Sequence, residues 1–186
     1  MNIAKTEPTI VKAEDIEPGF NWDRAIPAPG HMAVDFEERV NFRRLHDYRL
    51  GRAKQALADS ELGAIMCLDA NNIRYISGTV IGEWSRDKMS RYALLTGTGD
   101  PHIWDFGSAA THHRIHMPWL SPGCCHAGML GLRGAVPPDA GLMKKAAQEI
   151  KAIMTEHGVA DMPLGVDIIE PPLFYELQEL GLEVRD

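Results

Sequence analysis

The sequence predicts a three-layer α/β domain, on two observations. Apolar runs of strand length recur along the chain, at Ala64–Leu68, Tyr92–Thr96 and Leu164–Asp167. Segments of helical pattern lie between and around them, the clearest being Asp139–His157, with apolar residues at 3–4 spacing. Strands that alternate with helices need helices packed on the faces of a sheet.

The elements follow in order. Residues 1–37 hold Pro8, Pro18, Pro27 and Pro29 among many charges and show no periodicity. They read as an extended arm or tail, either loose or docked through Phe20, Trp22 and Met32. Residues 38–186 form the domain. Asn41 is a plausible N-cap for a helix to Ser60, with Leu45, Tyr48, Ala53, Ala56 and Leu57 as its apolar stripe. Gly63 suits a helix stop, and Ala64–Leu68 is the first strand. The chain leaves that strand through the polar turn Asp69-Ala70-Asn71-Asn72, whose Asx side chains suit capping. Tyr92–Thr96 and His102–Phe106 flank the turn Gly97–Pro101 as a hairpin. Ser108 is placed to cap a short helix to His116. Cys124–Leu130 is a weak strand, and Leu132–Pro138 a loop. Asp139–His157 is a helix ended by Gly158, and Leu164–Asp167 a strand. Pro171 and Pro172 open a helix with Leu173, Phe174, Leu177 and Leu180 inward and Gly181 as its stop. A final strand starts at Leu182.

Composition narrows the function. The net charge of −7 argues against nonspecific binding to nucleic acid or to an anionic membrane. No apolar stretch approaches the ~20 residues of a membrane span, and no secretory pattern opens the chain. The cysteines, Cys67, Cys124 and Cys125, are odd in number and have no framework spacing, which fits unpaired thiols in a reducing, cytoplasmic setting.

Four pieces in order carry a resemblance over residues 41–186. They are Tyr48-Arg49-Leu50, the turn Asn72-Ile73-Arg74-Tyr75, the hairpin end Ile103–Phe106, and the closing segment from Gly165-Val166-Asp167 to Val184. Together they resemble the amino-terminal domain of the creatinase/prolidase/aminopeptidase P family, in wording most like the dimethylsulfoniopropionate lyase branch. The resemblance implies a three-layer α/β/α domain with a mixed sheet. It also implies that catalysis, and the divalent metal ions that perform it, belong to a second, carboxy-terminal domain absent from this chain. This domain would then be non-catalytic, with no cofactor of its own, in a homodimer where it contributes to the neighbouring subunit's pocket for a small-molecule or dipeptide substrate. Xaa-Pro peptidase or creatinase-like hydrolysis is the first reading. Lyase chemistry is an alternative, and a stand-alone protein-binding or assembly module is another.

The resemblance also points to Trp84 and Arg91 as substrate-binding residues, since the lyase-like branch has a Trp and then an Arg at matching places. An aromatic face such as that of Trp84 suits a sulfonium or ammonium group, whereas packing at a dimer interface is the competing role. Other constellations favour structural roles. His112 and His116 are four apart, but no Glu follows the first histidine and Arg114 opposes a cation, so metal binding there, with His126, Cys124 or Cys125 as third ligand, is disfavoured. Arg74 is expected to pair with a carboxylate, Tyr75 to fill the core edge, and Asp69 to cap its turn. One face of the hairpin, carrying Trp104 and Phe106, is expected to be core. Gly97-Thr98-Gly99 is a turn with no helix behind it to receive a phosphate. No residue of the chain is assigned as catalytic or metal-binding.

Overall fold

A computed structural model describes residues 41–79, 91–105, 107–129 and 138–186 of the chain. The described elements are α1 (Phe42–Ala58), β1 (Ala64–Cys67), α2 (Ala70–Ser77), β2 (Tyr92–Thr96), β3 (His102–Asp105), α3 (Gly107–His116), β4 (Cys125–Ala127), α4 (Leu142–Glu156), β5 (Leu164–Val166), α5 (Pro171–Glu179) and β6 (Val184–Arg185). The strands form one sheet in the order β4-β3-β2-β1-β5-β6. The hairpin β2–β3 and the pair β1–β2 are antiparallel, while β1–β5, β5–β6 and β3–β4 are parallel. The sheet is therefore mixed, and its parallel pairs are joined through helical crossovers.

Strand alternation sorts the core into two layers. Met66, Tyr92, Leu94, Trp104 and Leu164 point to one face and pack on Ala147, Ile150 and Met154 of α4 and Leu173 and Leu177 of α5. Cys67, Ala93, Leu95 and Ile103 point to the other and pack on Ile73 and Ile76 of α2, with Leu50 and Ala53 of α1 at the margin. Helices cover both faces, so β2 is buried at every position and reads in sequence as an unbroken apolar run. This is the three-layer α/β/α architecture with a mixed sheet that the sequence predicts.

Details differ where side-chain direction decides. The inward stripe of α1 runs through His46, Leu50, Ala53 and Leu57, spaced four, three and four apart, of which His46 and Leu57 are buried and Leu50 and Ala53, like Leu45, half-buried, whereas Tyr48 and Ala56 are exposed. The helix predicted over Asp139–His157 begins later. Pro138–Ala140 forms a 3₁₀ turn, Gly141 takes a left-handed φ of 71°, and α4 starts at Leu142. Helix α3 begins at Gly107, so Ser108 lies inside it rather than at its cap. The weak strand at 124–130 shortens to β4 behind a 3₁₀ turn at Pro122–Cys124. Both faces of β3 are buried, not one. Phe106 and residues 1–40, with the arm assigned to 1–37, lie outside the described residues, as does the loop predicted over 132–138 except for Pro138.

The Asp69 turn shows how local sequence builds this fold. The Asp69 carboxylate accepts from Asn71 N at 2.9 Å and caps α2. Gly78 closes the helix at φ 71°, its N–H donating to Arg74 O. A Cβ there would sit 3.2 Å from both His46 Nδ1 and the Trp119 ring, so glycine serves both the turn and the close approach. The Asp167 carboxylate, just past β5, crosses to the same turn. Its oxygens accept from the N–H groups of Leu68 (2.8 Å), Asp69 (3.1 Å) and Ile168 (2.7 Å) and from Asn72 Nδ2 (2.8 Å). Asp167 therefore ties the ends of β1 and β5 together.

Candidate functional site

Buried polar residues concentrate at one end of the sheet. Except for Thr96, those among the described residues are His46, Ser77, Thr79, Arg91, Asp105 and His113. They form a connected path. Trp119 Nε1 donates to Ser77 O at 2.8 Å, and its ring lies 5.4 Å from that of His46. Ser77 Oγ accepts from Thr79 N at 3.2 Å. Thr79 Oγ1 lies 3.1 Å from His113 Nδ1, and His113 Nε2 lies 2.8 Å from Asp105 Oδ2. The same oxygen accepts from Arg91 Nε at 2.5 Å.

The chemistry of the partners fixes the direction of these bonds. A carboxylate bonded to a guanidinium only accepts, so His113 Nε2 carries a proton. In the neutral ring, Nδ1 is then the acceptor and the Thr79 hydroxyl donates to it. The order hydroxyl, imidazole, carboxylate matches a nucleophilic triad in outline. Here, however, Thr79 and Asp105 are fully buried, His113 is 3% exposed, and Arg91 already sits on the carboxylate. No substrate atom can reach Thr79 Oγ1, so the arrangement is a lock.

What it locks is defined by chain position. Thr79 and Arg91 bound the stretch 80–90, and the His113–Asp105 pair holds both ends. Arg91, a predicted substrate residue, is 7% exposed with its Nη1 buried and unpaired among the described residues. It holds Asp105 and anchors the stretch. Trp84, the other predicted residue, lies within 80–90 and outside the described residues. Asp105 and His113 escaped the sequence reading. His113 was legible, since Ala110, His113 and Met117 are all buried at 3–4 spacing, so it occupies a core position of α3.

A second cluster lies on the opposite face of the sheet, under the end of α4. His102 Nδ1 and His126 Nε2 are 2.9 Å apart, with the rings stacked and 5.2 Å between their centres. The other nitrogen, His102 Nε2, is 3.9 Å from Cys124 Sγ. Thr98 Oγ1 is 2.9 Å from His157 Nδ1, and the His157 ring stands edge-on to His102. Burial, then the neighbouring His126 and His157, hold His102 down at about 4. Burial pushes the Cys124 thiol up to about 11 and that of Cys67 up to about 12. All three cysteines are buried and free, as expected for inert thiols.

The sign of the pH effect follows. An ordinary histidine near 6.5 in the unfolded chain binds a proton before the folded His102 does. Its contribution is complete above pH 6.5 and is lost as pH falls from 6.5 to about 4. His102 is only half-buried, so solvent screens part of this effect, and we expect the domain to lose about 2 kcal/mol over that window, with His102→Gln flattening the slope in urea titrations run at each pH. An equal slope in wild type and His102→Gln would refute this.

The remaining sequence candidates are structural or exposed. His112 is exposed on α3, and the side chain of His116 is outside the described residues. Arg74 is exposed, and Tyr75 is half-buried beneath the Arg49 guanidinium at 5.6 Å. A groove of about 430 Å³ runs between α2 and β5, lined by Leu62, Ile65, Tyr75, Val166 and Asp167 among others. Of its two acidic residues, Asp167 already accepts the four bonds described above, and Asp186 is exposed. No described helix is long and apolar enough to cross a membrane.

Comparison with known proteins places the fold. No family model matches the chain. Over 151 residues the chain is 25% identical to the dimethylsulfoniopropionate lyase DddP of Roseovarius nubinhibens, a match that takes in 78% of this chain and 32% of that protein. The chain thus spans about a third of the curated relative's length. Among solved structures, an Xaa-Pro aminopeptidase from Streptococcus pyogenes superposes with a TM-score of 0.52 at 14% identity, over 76% of this chain and 91% of that one. The amino-terminal domain of the cytoplasmic peptidase PepQ from Mycobacterium tuberculosis superposes with a TM-score of 0.50 at 19% identity, over 74% and 91%. The chain has the fold of the amino-terminal domain of creatinase, prolidase and aminopeptidase P proteins.

Proposed function

We propose that this domain is the non-catalytic amino-terminal part of a metal-dependent, creatinase/prolidase-type hydrolase. In this reading it joins two cytoplasmic subunits as a homodimer and shapes the neighbouring subunit's pocket for a dipeptide or related small substrate. The observation that carries the reading is the superposition on almost the whole of an isolated peptidase amino-terminal domain. Bond cleavage and its divalent ions are assigned to a second domain. The part assigned to this domain is the stretch 80–90, whose ends the Thr79–His113–Asp105–Arg91 lock holds. Trp84 is the contact residue within it, and Arg91 holds one end in place. Neither nucleic acid nor membrane enters the scheme.

The sequence match to DddP favours a second reading, elimination from a sulfonium compound by the same kind of assembly. One experiment separates the two. The complete gene product is assayed against dipeptides ending in proline and against dimethylsulfoniopropionate, and its mass is measured by sedimentation. Turnover of the dipeptides supports the hydrolase, and turnover of the sulfonium compound supports the lyase. Turnover of neither by a soluble, folded protein would leave the binding-module reading. In either enzyme, Trp84→Ala is expected to lower kcat/KM about tenfold or more with folding intact. An unchanged kcat/KM removes Trp84 from the pocket.

A further inference from the structure

We propose that the groove between α2 and β5 is a docking site for an amphipathic helix of a partner protein, its apolar face on the sheet and a row of acids along α1. The layer that the fold leaves open sets the shape of the occupant. β1, β5 and β6 run parallel, and α4 and α5, which lead into β5 and β6, both pack on the same face of the sheet. On the other face α1 and α2 lie over β1 and β2. There Ile65, Gly165 and Arg185 stand side by side in register across β1, β5 and β6, and all three line the groove. Strands paired in parallel are ordinarily covered on both faces. The cover that this half of the sheet lacks, among the described residues, is a helix.

The lining suits the apolar face of such a helix. Leu62, Ile65, Tyr75 and Val166 border the groove of about 430 Å³ and are all half-buried, so they keep apolar surface in water. Gly165 lets Leu62 rest on the sheet, since a Cβ there would come within 2.6 Å of Leu62 Cδ1. Ala53 forms the α1 wall, and its short side chain allows close approach. No lining residue belongs to the Thr79–His113–Asp105–Arg91 lock, so this surface goes beyond the role assigned to the stretch 80–90.

Charge distinguishes the partner. The chain has a net charge of −7, yet α1 holds five basic residues, Arg43, Arg44, Arg49, Arg52 and Lys54, and one acid, Asp47. Arg49 and Arg52 stand on the same helix just before Ala53. Among the described residues they contact tyrosines and no carboxylate. Arg49 lies 5.6 Å over the Tyr75 ring, and Arg52 lies 5.8 Å over that of Tyr48, whose hydroxyl accepts from its Nη1 at 3.4 Å. Both charges are therefore open to an incoming acid. The opposite edge is acidic. There Arg185 is held by Glu61 at 3.2 Å and by Glu183 at 2.7 Å, and the exposed Asp186 adds a further negative charge. A helix with acids on one flank and bases on the other matches both edges, and does so in one direction only. A second copy of this groove is the poorer occupant, because two concave faces do not fill each other.

Two synthetic helical peptides with the same leucine face test this, each titrated with the 186-residue chain and followed by fluorescence anisotropy. One carries Glu on one flank and Lys on the other, and the second carries Lys on both. Nonspecific attraction to a chain of charge −7 favours the second peptide. The expected result is the reverse, with the mixed peptide bound about tenfold more tightly. Arg49→Glu/Arg52→Glu should invert that preference, and Ala53→Trp should abolish binding of the mixed peptide. Tyr175→Ala, exposed on α5 across the sheet, should leave it unchanged. A measurement on the wild type alone guards against misfolded variants: amide shifts on binding should concentrate at Ile65, Tyr75 and Val166. Failure of the mixed peptide to bind, a preference for the all-Lys peptide, or shifts that miss these residues would overturn the proposal. So would a wild type that sediments as a dimer and is split by Ala53→Trp, since the occupant is then a second copy.

Discussion

Asp105→Ala is expected to destabilise the domain by about 3–5 kcal/mol, the cost of leaving a buried charge without its partner. Arg91 would keep its guanidinium at 7% exposure with no counter-charge on Nε and with Nη1 already unpaired among the described residues. His113 would lose the acceptor of its Nε2 proton in the same step. In a chain of this size the midpoint of thermal unfolding should fall by about 10 °C. The diagnosis rests on the double variant. Adding Arg91→Met removes the stranded charge, so Arg91→Met/Asp105→Ala should recover a large part of the loss. If the double variant is the sum of the singles, or Asp105→Ala costs under about 1 kcal/mol, the pair is not a desolvated ion pair. The functional consequence follows from chain position, since loosening Arg91 and Thr79 frees both ends of the stretch that carries Trp84. In the complete enzyme proposed above, Asp105→Asn should therefore raise KM more than it lowers kcat.

How much of this was legible follows from what sequence pattern encodes. Apolar runs and 3–4 spacing report which residues avoid water, and they located all six strands and four of the five described helices to within a few positions; α2, read as a capped turn, is instead an eight-residue helix. They do not report which polar residues accompany the core. In β3 the order His-Ile-Trp-Asp reads as alternation, with Asp105 on a wet face. The sheet is covered on both faces, so Asp105 is buried and needs Arg91, whose side chain arrives from the far side of an intervening stretch. Local sequence carries no sign of that pairing. The histidines show the same limit. Spacing singled out His112 and His116, which share a helix, whereas the histidines that meet, His102, His126 and His157, are brought together from separate strands and a helix end. His113 and His46, the buried histidines among the described residues, each lay on the apolar face of its own helix, where periodicity could identify them.

Asp167→Ala is the second large effect, expected at about 3–4 kcal/mol. One carboxylate accepts from three backbone N–H groups and the Asn72 amide, and bonds to a charged acceptor contribute about 1.5–3 kcal/mol each before solvent replaces them. Replacement is uneven. Ile168 and Asn72 are exposed and regain water, whereas Leu68 is 2% exposed and its N–H is left without an acceptor. Asp167→Asn keeps one acceptor oxygen and should lose about half as much. Amide exchange gives the sharper measurement: protection at Leu68, Asp69 and Ile168 should fall together, ahead of the centre of β2. Unchanged protection, or a loss below about 1 kcal/mol, would show that the turn stands on its own capping bond. The stakes exceed one turn. Gly165-Val166-Asp167 and Asn72-Ile73-Arg74-Tyr75, distant in sequence, carry much of the resemblance to the peptidase domains, and this carboxylate is where they touch. It orients Asp69, Asp69 caps α2, and α2 delivers Ser77, Gly78 and Thr79 to the polar lock. A cut at Asp167 should thus also weaken the hold on Thr79, while Arg91 on the far side of the stretch keeps its bond to Asp105.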